Sequence, residues 1–206
     1  MINFIKWIEG IEEPIIYIDL DETLVRTVPW ENKNSLLRTK IPDNIEIDAR
    51  FDHLKKLMDQ HNAKSKDEQL EYWTKEGAKQ LIDDDGEEFL VFTRPHAIEF
   101  VTACNQMAKT SILTSGKAKF QIKVANLVGL PYQSLYGRDT YQYAPQSSKG
   151  ILIDDLDIGT SGVQEKLRVI GLPPDTDRHI EVPPFQGKAD NHLVETLSKV
   201  KEIIKA

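Results

Sequence analysis

Ile15-Ile16-Tyr17-Ile18-Asp19-Leu20-Asp21-Glu22-Thr23-Leu24-Val25 is the stretch on which the reading of this chain turns. Its apolar opening, rich in β-branched residues, is the pattern of a strand buried on both faces of a parallel sheet. The run stops abruptly at Asp19 and Asp21, which stand two apart and can both leave the strand's carboxyl end toward one crevice. In an open α/β sheet ligands bind at that end. Two carboxylates crowded there repel each other unless a cation or a shared proton relieves them. A hard, oxygen-seeking ion such as Mg²⁺ meets that need. An acidic pair at a strand end also serves to cap a following helix or turn, so the pair alone leaves both readings open.

Further along, Gly150-Ile151-Leu152-Ile153-Asp154-Asp155 repeats the theme of an apolar strand tipped with paired carboxylates. Between the two lies Ser111-Ile112-Leu113-Thr114-Ser115-Gly116, a short apolar run ending in small hydroxyl residues. The N–H groups that open the next helix favour an anion. Packing needs alone hardly produce two acid-tipped strands with a threonine-tipped one between them in chain order.

Composition bounds the remaining choices. The 206 residues, 40% hydrophobic, can bury a core and are read as one domain spanning 1–206. A net charge of −7 argues against a broad nucleic-acid surface. The lone Cys104 allows no intrachain disulfide, fits a reducing compartment and lies on an apolar helical stripe, as a buried inert thiol does. Met1 to Trp7 is apolar but soon meets Glu9, Glu12 and Glu13, so neither a signal peptide nor a membrane span is expected. The protein reads as cytoplasmic.

The rest of the chain divides by periodicity. Residues 26–50 read as loop or weak strand, with Ile45 to Ile47 alternating briefly. Helical spacing begins at Phe51, and a second helix is expected over Asp67 to Ile82, with a solvated connection at His61 to Lys66. Asp83-Asp84-Asp85-Gly86 is a turn, lacking the alternate spacing of a calcium loop. Glu88 to Thr93 is a strand stopped by Pro95 and followed by a helix. A helix opened by Ser115 and Gly116 ends at Gly129, a short one with Val163, Leu167 and Ile170 ends at Gly171, His179 to Phe185 is a last strand, and a final helix begins at Asn191. His179 and His192 have no ligand-spaced partner and read as structural or surface residues.

The D-x-D-x-T pattern of Asp19, Asp21 and Thr23 after an apolar strand resembles the first motif of the haloacid dehalogenase (HAD) superfamily. The wider DLDETLV resembles its branch of RNA polymerase C-terminal-domain phosphatases and NLI-interacting-factor-like relatives. The resemblance implies a doubly wound, Rossmann-like α/β fold with a mostly parallel sheet, and a helical insertion over 26–88 between the first and second motifs. HAD enzymes often place a cap there; a surface helical pair with no contact with substrate is the other reading. By position Thr114 is the second-motif residue that binds the phosphoryl group, with Ser115 beside it. Lys117 to Phe120 resemble the segment that follows in the family. Asp154 fills the fourth-motif position of a metal ligand, and Asp155 that of a second ligand or a water-holding neighbour. TRPHAIEFV resembles the element that carries an arginine near the site, which assigns Arg94 to substrate, with His96 where the family usually has glycine or tyrosine. A helix-entry salt bridge is the alternative for Arg94.

The expected third-motif lysine is harder to find. Lys149 has the right order, but it stands five residues before Asp154. At the rise of a strand that is ~16 Å from the crevice. Arg138, at the end of the preceding strand, is better placed, and Lys117 or Lys119 could supply the charge instead.

The resemblance then implies a Mg²⁺-dependent phosphomonoester hydrolase. Asp19 is the nucleophile that becomes an aspartyl-phosphate, and Asp21 is the general acid and then base. Asp19, Asp154 and the Asp21 backbone carbonyl hold Mg²⁺. The substrate is a phosphorylated peptide, carrying phosphoserine or phosphothreonine, or else a nucleotide or nucleic-acid end. A closed cap would favour small substrates and an open cleft a polymer. A non-catalytic HAD-like binding module is the remaining alternative.

Overall fold

The β-branched run Ile15–Ile18 forms strand β1, buried on both faces at the centre of a five-stranded parallel sheet. The computed structural model describes residues 13–42 and 44–205, with the side chains of Ile47 and Asp48 excepted. The apolar start of the chain, with the expectation drawn from it, lies outside the described residues. No helix among the described residues is long and apolar enough to cross a membrane.

The central sheet has the order β6-β5-β1-β7-β8, all pairs parallel. Beside β1 it comprises β5 (Lys109–Leu113), β6 (Ser134–Tyr136), β7 (Ile151–Asp154) and β8 (His179–Glu181). The chain runs outward from β1 to one edge and then to the other, the doubly wound α/β arrangement that was expected. One core cluster joins Ile16, Ile18, Ile112, Ile151 and Ile153 to Phe100, Val101, Val124 and Val200 of the covering helices. Cys104 belongs to that cluster, and burial pushes its thiol up to about 12, as an inert buried cysteine requires.

A second, antiparallel sheet of order β2-β4-β3 stands apart from the first. It is built from β2 (Val25–Pro29), β3 (Ala78–Ile82) and β4 (Glu88–Thr93). Its apolar face, with Val28, Leu90 and Phe92, is covered by a 3-10 helix (Trp30–Lys40) and helices α1 (Ile47–Asn62) and α2 (Lys66–Lys75), the last contributing Trp73.

Three local readings are corrected here. Ile45 to Ile47 is no strand, since α1 starts at Ile47. The helix expected over 67–82 ends at Lys75, because Gly77 takes a left-handed φ of 93° and the following residues pair with β4. His61 is buried, not solvated: its Nε2 accepts a hydrogen bond from Trp73 Nε1 at 3.1 Å.

The remaining helices are α3 (Ala97–Met107), α4 (Ala118–Val128), α5 (Ser161–Ile170) and α6 (His192–Lys205). His96, just before α3, holds a left-handed φ of 64°. That conformation suits glycine, and it costs a non-glycine residue about 1–2 kcal/mol.

Candidate active site

The parallel register brings the chain's acid-tipped and threonine-tipped ends to one edge. Ile18 lies opposite both Ile112 of β5 and Ile153 of β7, so Asp19 comes level with Asp154 on one side and with Leu113 on the other, and Thr114 follows one position beyond. The Asp19 N–H continues the ladder to Ile153 O at 2.8 Å. Beyond it the chain turns sharply through Glu22, whose φ of 59° redirects it into β2.

The cation among these acids is Lys166. Its Nζ donates to Asp19 Oδ1 at 2.5 Å and to Asp154 Oδ2 at 2.7 Å, and the residue is 1% exposed. It projects from α5 on the same stripe as Val163, Leu167 and Ile170, so its methylene stem is packed while its ammonium reaches the sheet edge. Burial alone would lower the Lys166 pKa, but Asp19 and Asp154 carry it above the ordinary lysine value. Asp19 is held above the usual carboxylate range, chiefly by burial, with Lys166 opposing and Asp154 adding to the rise.

The two neighbouring carboxylates differ in role. Asp155 is half-buried and accepts from Thr23 Oγ1 at 3.2 Å, which accounts for the threonine of the D-x-D-x-T pattern. Burial, Asp154 and then Glu22 push Asp155 up to about 6. Asp21 is held apart from this group, its Oδ2 accepting from Gln121 Nε2 at 2.6 Å. Burial raises its pKa, with the Gln121 amide and the Thr27 hydroxyl opposing.

Asp19, Asp154 and Asp155 each offer an oxygen within 4.8 Å of the others, an arrangement that can hold a metal ion. Among the described residues, Lys166 is the cation paired with Asp19 and Asp154. An all-oxygen, net-anionic donor set with buried members fits a hard divalent cation. The Asp21 side chain lies outside that oxygen group.

Thr114 is 1% exposed at the end of β5, with Ser115 exposed next to it. The other basic residues singled out in the sequence go elsewhere. Arg138 pairs with Glu165 at 3.3 Å on the surface, and Lys119 with Asp84 at 2.5 Å. Lys117 precedes α4 and lines a cleft of about 500 Å³ between α4 and the turn at 83–87. Lys149 lies before β7, at the end of that strand away from Asp154. The charge beside Asp19 therefore comes from none of these four. The first helical N–H of α4 is also taken, since Ala118 N donates to Asp139 Oδ1 at 2.8 Å.

Arg94 takes the salt-bridge alternative, with Asp190 as its partner. It reaches the first motif, but as a buried clamp: Nε donates to Asp190 Oδ1 at 3.0 Å, Nη1 to Thr23 O at 3.0 Å and Nη2 to Pro183 O at 2.8 Å. The guanidinium is buried and ties the loop after Asp21 to the segment from Pro183 to Asp190. Arg94→Met should therefore destabilise the fold by about 3–5 kcal/mol, the scale of a buried ion pair deprived of one partner. Urea denaturation checks this; unchanged stability would return Arg94 to the list of substrate ligands.

The model of a family described as NLI interacting factor-like phosphatase matches residues 14–206. A comparison with curated proteins found no match. Among solved structures, the chain is similar to the fission yeast RNA polymerase II CTD phosphatase Fcp1, at 15% identity and a TM-score of 0.46, over 98% of this chain and 53% of that one. It is also similar to a HAD-superfamily hydrolase from Ehrlichia chaffeensis, at 13% identity and a TM-score of 0.48, over 95% and 100% of the two chains. A third is the putative HAD-hydrolase YfnB from Bacillus subtilis, bound to magnesium, at 14% identity and a TM-score of 0.44, over 92% and 99%. The chain spans about half the length of the Fcp1 structures it matches.

Proposed function

The chain belongs to the NLI interacting factor-like phosphatase family, and from that premise we propose that it is a Mg²⁺-dependent phosphomonoester hydrolase acting through an aspartyl-phosphate on Asp19. The observation that carries this reading is the buried ammonium of Lys166 between Asp19 and Asp154, with Asp155 in the same group of oxygens.

In the first step an Asp19 carboxylate oxygen attacks phosphorus as the bond to the leaving oxygen breaks. Asp21, protonated, delivers its proton to that oxygen and releases an alcohol. Burial of Asp21 favours the protonated form this step needs. In the second step the Asp21 carboxylate takes a proton from water, whose oxygen attacks phosphorus. The bond between phosphorus and Asp19 breaks, and inorganic phosphate leaves. Throughout, Lys166 offsets charge on Asp19 and the phosphoryl oxygens, while Thr114 and Ser115 are the hydroxyls that hold those oxygens. Asp19, Asp154, Asp155 and the Asp21 carbonyl would hold Mg²⁺, which neutralises phosphoryl charge and orients the group when bound.

The substrate class we infer is a phosphoserine or phosphothreonine peptide. The cleft beside the site is open, and Asp83, Asp84, Asp85 and Glu87 line one wall opposite Lys117, Lys119 and Lys123. Such a carboxylate wall disfavours a polyanionic nucleic-acid end, whereas a peptide of mixed charge can lie along it.

Turnover of an aryl phosphate with and without Mg²⁺ tests the proposal. EDTA should silence the protein and Mg²⁺ restore it. Ca²⁺ should bind yet support little turnover, because its larger, looser shell misplaces nucleophile and phosphoryl group. Full activity in EDTA would remove the metal role of Asp154, and no turnover under any condition would leave a binding module.

A further inference from the structure

Gln121 sits where the helix pattern calls for an apolar residue. On the buried face of α4 its neighbours are Ala118, Val124, Ala125 and Val128, yet it is 3% exposed and polar. Burying an amide there is unfavourable unless its hydrogen bonds are made. Only one end makes them: Nε2 donates to Asp21 Oδ2 at 2.6 Å, while Oε1 is buried with no partner among the described residues. A glutamine kept to complete a structural network would have both ends satisfied. This one carries an unmet acceptor for the sake of a single bond to Asp21.

The adjoining loop is shaped around the same bond. A Cβ on Gly116 would lie 2.2 Å from Gln121 Nε2 and 2.9 Å from its Cδ and Cγ. Gly116 has no left-handed φ to explain a glycine, so what the position supplies is room for the amide. Gly137 packs against that loop in turn, where a Cβ would come within 2.5 Å of Gly116 O, and Arg138 N donates to the same oxygen at 3.0 Å. The loop therefore cannot easily yield space to a larger residue at 116.

We propose that Gln121 is the positioning residue for the general acid–base Asp21, and that Gly116 lacks a side chain so that the Gln121 amide can reach it. With the amide N–H fixed on Oδ2, Asp21 cannot rotate freely, and Oδ1 is left as the oxygen that carries the proton. Gly116 and Gln121 both line the cleft beside the site, so the amide that holds the carboxyl stands at the cleft wall. This inference rests on the phosphatase reading above, in which Asp21 protonates the leaving oxygen.

The test uses the leaving group. An alkoxide, as from phosphoserine, needs a proton to depart, whereas 4-nitrophenolate departs without one. kcat/KM covers only the steps through phosphorylation of Asp19, so it isolates the acid role. For the isosteric Gln121→Met, kcat/KM should fall roughly 10²-fold on a phosphoserine peptide, the scale of a misplaced catalytic group. On 4-nitrophenyl phosphate it should change little. Gln121→Asn, which keeps the amide but is too short to reach, and Gly116→Ala, which displaces it, should show the same selectivity. In an Asp21→Asn background, Gln121→Met should add no further loss, because the two act as one unit. Equal loss on both substrates, or losses that multiply in the double variant, would overturn the positioning role while leaving the phosphatase reading intact. Undiminished peptide turnover by Asp21→Asn alone would instead overturn the acid assignment, and this proposal with it.

Discussion

Asp19→Asn should reduce turnover of every phosphomonoester to background while the protein stays folded. An amide is too weak a nucleophile to displace an alkoxide from phosphorus, and no neighbouring carboxylate takes its place. Asp155 is held by Thr23, and Asp21 by Gln121. Asp21→Asn should be milder, a loss of roughly 10²–10⁴-fold, because it removes proton transfer and leaves attack possible. Asp19→Asn also has a stability signature. Burial holds the Asp19 pKa above its unfolded value. A raised carboxyl contributes stability that is complete below the unfolded pKa, about 4, and is lost as pH rises through the folded one. In EDTA the unsubstituted protein should thus lose stability from mildly acidic pH upward, and Asp19→Asn should lack that part of the slope. Thermal denaturation across the pH range, beside the kinetics, checks both halves. Normal activity in a folded Asp19→Asn protein would end the proposed mechanism.

What was legible in the sequence follows from how local each signal is. β1 and β7 could be read because an apolar run and its acidic stop occupy a few consecutive residues, and parallel pairing then sets their ends side by side. Thr114 followed by the same logic. The 67–82 stretch misled because Leu70, Trp73, Ala78 and Leu81 keep helical spacing, while Gly77 changes the backbone in the middle of it. Arg94 was left between a substrate contact and a salt bridge, since its partner Asp190 lies 96 residues away and no local pattern announces it. Lys166 was missed for a different reason. A lysine in an amphipathic helix is normally read as solvated, yet Val163, Lys166, Leu167 and Ile170 fall on one face, and a charge on that stripe needs a buried partner. That signal was available, though it lies after the fourth motif, where the family's order does not lead one to look.

Lys166→Met should consequently be the most damaging change outside the acids. Methionine keeps the packed stem and removes only the ammonium, leaving Asp19, Asp154 and the incoming phosphoryl oxygens without their nearest positive charge. The expected loss is roughly 10²–10³-fold in kcat, the scale of one missing group that stabilises charge developing in the transition state. Lys149→Ala and Arg138→Ala should change turnover by no more than a few-fold, since the Arg138–Glu165 pair is exposed and Lys149 lies at the far end of β7. The lysine variant should also be destabilised in EDTA by about 3–5 kcal/mol, because two buried carboxylates lose their shared partner. Mg²⁺ should recover more stability in that variant than in the unsubstituted protein, as the only cation then available to the cluster. Urea denaturation with and without Mg²⁺, alongside single-turnover kinetics, reads both effects. A fully active Lys166→Met protein, with activity lost at Lys149 or Arg138 instead, would show that the phosphorylated Asp19 draws its compensating charge from the other side of the site.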